Sequence, residues 1–482
     1  MSQQGQATDI VVNHVAIKQA VDWLLPAKRF AGMEVREGAR WKPRMLAVCA
    51  LLWVCSDLDT LTGRFLAARK IVGQIFRWHR SPGSSYQGFM KMLQKWHVTL
   101  QSAIIQELRL KMAENLSEAW RVAGYAVFAV DGSRVGASRT KRNEEALAPR
   151  KWRRQASKGK PCKKSKQGRK RRVRKTRQKS PSQETIEKKV NSPQIWLTLL
   201  WHVGSGLPWA WRTGPSDASE RAHFDEMLPE LPKNSLITAD AGFVGYEHWK
   251  AILDHDHHFL IRVGSNVTLI KNLGYARQND QTVYLWPKKM MRTQAPLVLR
   301  MICIHDGKQT AYLVTDLSKS QLSDRQAAMV YQKRWGIELF FRTFKQTFHR
   351  RKLMSRTPEN LQLELDWSLT GLWCICLLGQ RELLANGLPI PRQSPALTIR
   401  AFRQAMRNWR NRPSLDERLA MLLQAALRDD YRRSSTKASR DYPRQKGPKR
   451  TPGSPKLEPA NREQIIAAKR LREKLSEFRL AA

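Results

Sequence analysis

Acidic residues and cysteines are scarce in this sequence. Its 482 residues include 41 Asp and Glu against 86 Lys and Arg, so the formal net charge is +45. The six cysteines include no C-x-x-C pair, and most of them lie in apolar segments. This usage argues against a disulfide framework and indicates free thiols in a reducing compartment.

Long apolar runs are also missing. The longest, 45–55 and 369–378, are too short to cross a bilayer and are typical of buried helices. The N-terminus lacks the basic-then-apolar pattern of a signal peptide. A protein that used this charge to bind an anionic membrane would need a basic amphipathic anchor or a spanning helix. We therefore expect no membrane partner.

Positive charge is what the sequence has in excess. A charge of +45 opposes compaction unless a polyanion neutralises it. Nucleic acid is the leading candidate, because binding to phosphates releases counterions. The most basic segment, 163–179, lies within a polar stretch of about 141–190 that we expect to be disordered without a partner. For this stretch we favour contact with DNA or RNA over a passive solvated insertion.

The flanks of the chain are predicted to be helical. Residues 1–120 carry apolar residues at helical spacing over 58–78 and 86–110, and this part is either a DNA-binding domain or a basic scaffold. Residues 355–430 continue as a C-terminal helical region. Residues 431–482 form a basic tail, which we expect to be disordered to about residue 458 before a last helix.

The central part, 121–354, is predicted to be an α/β domain. Its short apolar runs, bounded by turn residues, predict strands at 125–130, 194–201, 207–211, 236–240 and 259–263. Helices are predicted between the third and fourth strands and between the fourth and fifth. With a further helix after Ser323, this order is the connectivity of a ribonuclease H-like fold, although other α/β arrangements could share it. A β-rich insertion, about 264–322, is expected to form a small sheet of its own.

The helix after Ser323 has two distinct faces. A capping box of Ser323 and Gln326 predicts its start. One face is apolar and reads as the buried side, with Val330, Ile337, Phe340, Phe341, Phe344 and Phe348. The adjoining face carries Tyr331, Arg334, Glu338, Arg342 and Lys345. A carboxylate among cations and a phenol suits a metal ion beside a phosphate, whereas the alternative is a solvated face with ion pairs such as Glu338 with Arg342.

Two aspartates complete this constellation. Asp131 and Asp240 each follow an apolar run, and the two strands are expected to be neighbours in the sheet. Together with Glu338 they supply hard oxygen ligands, which suit two Mg²⁺ or Mn²⁺ ions in phosphodiester chemistry. Taken singly, each aspartate could equally be a turn or cap residue.

These residues resemble the motifs of a known family. The spacing Tyr331-(2)-Arg334-(3)-Glu338-(6)-Lys345 matches the Tyr-Arg-Glu-Lys signature of DDE transposases of insertion-sequence family 4. Asp131 in Val-Asp-Gly-Ser and Asp240 in Ala-Asp-Ala-Gly-Phe match the two aspartate motifs of that family. The resemblance covers about residues 124–353.

The resemblance implies cut-and-paste transposition of an insertion sequence through DNA cleavage, hairpin formation at the element ends and strand transfer to target DNA. Asp131, Asp240 and Glu338 would be the catalytic residues and would bind two Mg²⁺ (or Mn²⁺) ions. The implied DNA-binding residues are Tyr331, Arg334, Arg342, Lys345 and Trp286. Trp286 would stack a flipped base, although core packing of this ring is the favoured interpretation. The implied partner is double-stranded DNA, bound by a homodimer on paired ends in the nucleoid of the cytoplasm.

Three alternatives stay open. The first is a catalytically inactive transposase relative that acts as a DNA-binding protein. The second is a basic RNA-binding protein of unrelated fold, for which the three carboxylates would not converge. The third concerns the run Asp254–His258, whose residue types suit zinc. We favour a polar loop there, since adjacent ligands rarely converge on one ion.

Overall fold

The computed structural model describes residues 17–77, 79–148, 192–305, 310–407, 409, 423 and 453–480. The most basic part of the predicted insertion lies outside these residues, as do residues 431–452 of the predicted tail. The described residues form a mixed α/β structure. It has one large sheet, and helices lie before, between and after its strands along the chain.

The N-terminal part is helical, as predicted. Its helices are α1 (Ile17–Leu24), α2 (Pro43–Cys55), α3 (Leu61–Ile75), α4 (Tyr86–Asn115) and the short α5 (Ser117–Trp120). Pro43 occupies the first turn of α2, where its missing N–H is tolerated, and all residues of this helix except Arg44 are buried. Ser85 caps α4 by accepting a hydrogen bond from the Gly88 amide. The DNA-binding role of this part stays a prediction.

The sheet has ten strands in the order β10-β6-β7-β8-β9-β5-β4-β1-β2-β3. In chain order the strands are β1 (Val127–Gly136), β2 (Gln194–His202), β3 (Leu207–Gly214), β4 (Leu236–Ala239), β5 (His258–Val263), β6 (Thr268–Lys271), β7 (Thr282–Leu285), β8 (Leu297–His305), β9 (Thr310–Thr315) and β10 (Lys456–Pro459). The first three strands are antiparallel neighbours, whereas β1, β4 and β5 run parallel. The connecting helices are α6 (Lys141–Leu147), α7 (Glu220–Asp225) and α8 (Tyr246–Asp254).

The β-rich insertion does not form a sheet of its own. Strand β9 pairs with β5, so β6 to β9 extend the main sheet at that edge. The tail also differs from its prediction, because β10 pairs in parallel with β6 at the far edge. The backbone groups of an edge strand are open to pairing, and β10 uses those of β6. The last helix, α13 (Arg462–Leu480), lies close to its predicted position.

The signature segment is three elements rather than one helix. They are α9 (Asp324–Lys333), α10 (Gly336–Arg342) and a π-helical turn (Thr343–Thr347). The predicted capping box of Ser323 and Gln326 is present. The break spans residues 334–335, directly before Gly336, where a Cβ atom would overlap the ring of Trp201 from β2. All six apolar residues of the predicted inner face are buried.

The C-terminal helices are α11 (Pro358–Ala385) and α12 (Pro395–Arg407). Helix α11 contains the predicted apolar run but is longer than it. By length and composition it could cross a membrane, yet 94% of its apolar window is buried inside the structure. It packs against α2, α4 and β3, as the buried-helix interpretation requires.

Candidate active site

Asp131 lies on β1, the third strand from the β3 edge of the sheet. This strand continues beyond Asp131 to Gly136 beside β2, but its parallel pairing with β4 stops at Ala129. Asp131 was predicted to come at the end of its strand. It lies instead within β1, just past the end of the pairing with β4. One carboxylate oxygen of Asp131 accepts a hydrogen bond from the Gly132 amide at 2.8 Å.

Asp240 directly follows β4. Ala129 on β1 and Thr238 on β4 are register partners, and each aspartate lies two residues further along its strand. The predicted neighbourhood of the two strands is therefore confirmed. Asp240 also accepts a hydrogen bond from the Gly242 amide at 2.8 Å, which is the cap role that a strand-ending aspartate can have. That bond leaves the second carboxylate oxygen for other partners.

Glu338 lies on α10, which packs against β1. Its carboxylate is 3.6 Å from the Arg334 guanidinium. Burial raises the pKa of Asp131 to about 6, and the charges of Asp240 and Glu338 act in the same direction. The Gly132 hydrogen bond and the charge of Arg334 oppose this rise. The three predicted carboxylates are thus close enough to influence one another's charge.

The predicted basic residues occupy three different environments. Arg342 is exposed. Lys345, on the π-helical turn, donates a hydrogen bond to Ser133 Oγ at 2.6 Å, and burial lowers its pKa while Asp131 opposes that change. Tyr331 and Arg334 are buried, at 8% and 5% exposure, although the wheel pattern predicted an open face for both.

Tyr331 and Arg334 form a stacked pair beside Glu338. The Arg334 guanidinium carbon lies 5.2 Å from the centre of the Tyr331 ring. Within the described residues, the Tyr331 hydroxyl and the Arg334 Nε are buried without a hydrogen-bond partner. Unpaired buried donors are unfavourable, so these two atoms favour a ligand with acceptor oxygens.

Trp286 packs in the core. Its ring is 3% exposed, and its indole N–H donates to the Gln294 carbonyl at 2.9 Å. The ring therefore has no face open to a DNA base, and core packing accounts for it. Core packing is the interpretation favoured from the sequence, and a stacking role would require the ring of Trp286, which directly follows β7, to leave the core.

The run from Asp254 to His258 forms no shared site. His255 bonds to the Ala251 carbonyl, His257 to the Leu228 carbonyl and His258 to Asp316. The three imidazoles bond to three different segments. This arrangement favours a polar loop over a shared zinc site.

Sequence reasoning missed Glu220, a fourth carboxylate at the start of α7. Burial raises its pKa to about 7, and the charges of Asp131 and Asp240 contribute to the rise. The only local signal was a helix start at Ser219, which accepts a hydrogen bond from the Ala222 amide. Its nearness to Asp131 depends on how α7 packs on the sheet and cannot be read from spacing.

The chemistry of these side chains fits a divalent cation. Asp131, Asp240, Glu338 and Glu220 are hard oxygen donors whose mutual repulsion a bound cation would relieve. Over the part of the chain that the structure describes, no three acidic, His or Cys side chains are already grouped closely enough to hold a metal ion. Metal binding would therefore draw these carboxylates closer together.

Comparison with known proteins gives the family. The family model described as "Transposase DDE domain" matches residues 123–374. The Escherichia coli (strain K12) transposase InsG for insertion sequence element IS4 is 24% identical over 185 residues, 36% of this chain and 41% of that protein. A putative transposase for insertion sequence element IS4SA from Synechocystis sp. is 21% identical over 186 residues, 35% of this chain and 52% of that protein.

The chain thus spans about half the length of the curated relatives that it matches. Among solved structures, a piggyBac transposase synaptic complex with hairpin DNA aligns over 89% of this chain and 88% of its own, with 12% identity and a TM-score of 0.39. The family match covers more than half of the 482 residues and contains all three predicted carboxylates. This chain belongs to the family of DDE-domain transposases and is similar to those of IS4 elements.

Proposed function

We propose that the protein is a DNA transposase that cuts DNA at the ends of an insertion sequence and joins these ends to target DNA. One observation carries the proposal. Asp131 and Asp240 occupy equivalent positions beyond a register pair of adjacent parallel strands, and the charge of Glu338 reaches Asp131 from α10. Family membership supports the same reading.

The half of the sheet that ends at β3 supports a ribonuclease H-like core. Its strand order is β3-β2-β1-β4-β5, with β1 to β3 antiparallel and β1, β4 and β5 parallel. In this arrangement the carboxylates lie at the carboxyl ends of parallel strands, the usual place for functional groups in an α/β sheet.

Asp131, Asp240 and Glu338 would hold two Mg²⁺ or Mn²⁺ ions, which when bound activate a hydroxyl nucleophile and stabilise the leaving oxygen of a phosphodiester. The Gly132 and Gly242 amides each fix one aspartate through a single oxygen. Each bond orients its aspartate through one oxygen and leaves the other oxygen to ligate an ion, which would draw the carboxylates closer together. Arg334 limits the repulsion between Glu338 and Asp131.

The cationic side chains would bind the DNA backbone. Arg342 is exposed, and the Lys345 ammonium is held near Asp131 through Ser133. The unpaired Tyr331 hydroxyl and Arg334 Nε would donate to a phosphate oxygen bound beside Glu338. The remaining excess of positive charge would neutralise DNA outside the site.

The partner that we propose is double-stranded DNA, at both the element ends and the target. A homodimer on paired ends follows from the resemblance to the IS4 group. The free cysteines and the charge suit a location at the nucleoid in the cytoplasm.

The test uses duplex DNA that carries the inverted repeats flanking the coding sequence. The wild-type chain should cleave this duplex in a Mg²⁺-dependent reaction. Glu338→Gln should abolish cleavage while mobility-shift binding stays nearly unchanged, because it removes a metal ligand and not a phosphate contact. The matched control is Glu247→Gln, since Glu247 is exposed on α8 and pairs with exposed Lys289.

Two outcomes would overturn the proposal. Cleavage by Glu338→Gln at the wild-type rate would exclude the assigned site. Specific binding of the repeats by a wild-type chain that never cleaves them would favour the catalytically inactive DNA-binding alternative.

A further inference from the structure

Glu220 packs directly on the backbone beside Asp131. A Cβ atom at Gly132 would lie 2.7 Å from the Glu220 carboxyl carbon and 2.9 Å from its Cγ. The same Cβ would lie 2.8 Å from Cζ2 of Trp196. Real Cβ atoms do not approach other atoms this closely, so an added methyl group would force the Glu220 carboxyl group or the Trp196 ring to move. The absence of a side chain at Gly132 lets the Glu220 carboxyl group reach the residue next to Asp131.

Well-ordered elements hold Glu220 in this place. It is the first residue of α7, which Ser219 caps and which packs against β1, β2 and β3. Phe224 of α7 is fully buried, and His223 makes a 3.0 Å hydrogen bond with Thr198 on β2. A side chain anchored on both helix and sheet is suited to position a ligand accurately.

The aromatic ring of Trp196 also lies against Gly132. Trp196 on β2 is the register partner of Arg134 on β1, and the Arg134 guanidinium lies 4.9 Å from the centre of the Trp196 ring. Arg134 is thereby stacked on the indole, and within the described residues it forms no ion pair with Glu220. The charges of Asp131 and Asp240 act on the Glu220 carboxylate, those of Arg134 and Arg221 oppose them, and no ion pair is formed with either arginine among those residues.

A second feature of the site also points to a ligand. The Tyr331 hydroxyl, on a side chain 8% exposed, is buried without a partner within the described residues. Together with the Arg334 Nε it favours an anion. The carboxylates favour a cation, so the site is complementary to a phosphate group that carries divalent ions.

We propose that Glu220 is a fourth metal-binding carboxylate of this site, which ligates the divalent ion held by Asp131 and Asp240 directly or through a bound water. This inference rests on the proposed function and extends it. Glu220 would hold the ion on the α7 side, while Glu338 acts from α10. Gly132 serves the same purpose, because it admits the carboxyl group of Glu220.

The test measures metal binding as well as cleavage. Mn²⁺ is titrated into the full chain, with and without duplex DNA, and the free ion is followed by electron paramagnetic resonance. Glu220→Gln, which keeps the shape of the side chain, should weaken Mn²⁺ binding about 10-fold or more, as loss of supporting ligands does at other metal sites. It should also raise the Mg²⁺ concentration needed for half-maximal cleavage.

Two further variants separate charge from structure. Glu226→Gln changes an exposed carboxylate that follows α7 and pairs with Arg212, so it should leave Mn²⁺ affinity unchanged. Gly132→Ala keeps every charge but pushes the Glu220 carboxyl group away, so it should weaken Mn²⁺ binding as Glu220→Gln does. The double variant Gly132→Ala with Glu220→Gln should be little worse than Glu220→Gln alone.

The outcomes distinguish the two proposals. If Asp131→Asn and Asp240→Asn abolish Mn²⁺ binding while Glu220→Gln binds as the wild type does, only the role of Glu220 is overturned. If neither aspartate variant changes binding, or if the wild-type chain binds no Mn²⁺ with or without DNA, the proposed function fails as well.

Discussion

The Lys345 ammonium donates a 2.6 Å hydrogen bond to the hydroxyl oxygen of Ser133, two residues beyond Asp131 on the same strand. This bond joins the π-helical turn to strand β1. π-Helical turns are rare and often occur at functional sites. Here the wider turn, closed by the Phe348 amide bonding to the Thr343 carbonyl, places a signature residue beside the candidate carboxylates.

Lys345→Ala should weaken DNA binding and flatten its dependence on salt. One phosphate contact is lost, so the slope of log affinity against log salt concentration should fall by about 1. Mobility-shift titrations at several salt concentrations measure both effects. Lys250→Ala is the control, because Lys250 is on α8 and pairs with Asp254.

Ser133→Ala tests whether the ammonium itself or its anchoring matters. The variant frees Lys345 without removing its charge, so the salt slope should stay as in the wild type. Stability should fall by about 1 kcal/mol at most, the usual value of a single hydrogen bond. An unchanged slope in Lys345→Ala would contradict the phosphate-binding role.

The acidic cluster predicts a pH-dependent response to metal. Burial, followed by the charge of Asp240, raises the pKa of Asp131 from 3.8 to about 6. Between these values the folded state binds more protons than the unfolded chain, so the free energy of unfolding falls as the pH rises. The pKa of Glu220 is raised from 4.5 to about 7, so between these values Glu220 also lowers the free energy of unfolding as the pH rises. Ionised carboxylates bind metal, so Mg²⁺ should stabilise the protein more at higher pH.

Thermal unfolding with and without Mg²⁺ measures this response. The Mg²⁺-induced rise in melting temperature should be small near about pH 5 and should reach a plateau by about pH 8. Asp131→Asn should reduce the rise at every pH. An Mg²⁺ effect of equal size at both pH values would count against titration of these carboxylates.

Arg350 is a structural arginine, unlike the arginines that we propose to bind DNA. It is 1% exposed and donates hydrogen bonds to the Val54 carbonyl, the Phe348 carbonyl and Ser368 Oγ. These bonds connect α2, the segment after the π-helical turn, and α11. Arg350→Met leaves the acceptors without their donor, so it should destabilise the fold by about 2–4 kcal/mol.

Chemical denaturation measures that loss. The matched control is Arg351→Met, because Arg351 is exposed and its substitution should change stability by less than about 0.5 kcal/mol. If Arg350→Met proved as stable as the control, these bonds would have no net stabilising role.

The sequence was sufficient to bring Asp131, Asp240 and Glu338 together, but it did not predict their surroundings. Asp131 and Asp240 could be placed together because apolar runs show where strands lie and parallel neighbours align their carboxyl ends. The buried face around Phe344 followed from helical periodicity. Periodicity shows which residues share a face, but it does not show whether another element covers that face. Tyr331 and Arg334 were therefore expected to be open to solvent.

Contacts between distant segments account for the other differences. The role of Glu220 depends on α7 packing across Gly132, 88 positions earlier in the chain. Strand β10 has only four residues, all exposed, so its sequence gives no clear sign of a strand, and it pairs with the edge that β6 offers. Trp286 was given a stacking role by resemblance, whereas its burial is set by the extension of the sheet.

The break before α10 gives the last prediction. A Cβ atom at Gly336 would overlap the ring of Trp201, which is 6% exposed on β2. Alanine is the better helix former by about 1 kcal/mol, so any loss in Gly336→Ala must come from this overlap and not from helix propensity. We expect α10 to shift and to displace Glu338, and cleavage to fall about 100-fold, as small displacements of reacting groups do.

A second substitution should relieve the overlap. Gly336→Ala combined with Trp201→Leu should cleave faster than Gly336→Ala alone, even though the smaller side chain leaves a cavity. Gly32→Ala is the control, because no atom lies within 4 Å of the added methyl group. Cleavage rates are compared at a saturating DNA concentration, so that binding does not enter. If Gly336→Ala cleaved at the wild-type rate, the close approach of Trp201 would not set the position of Glu338, and the break in the signature helix would be independent of the site.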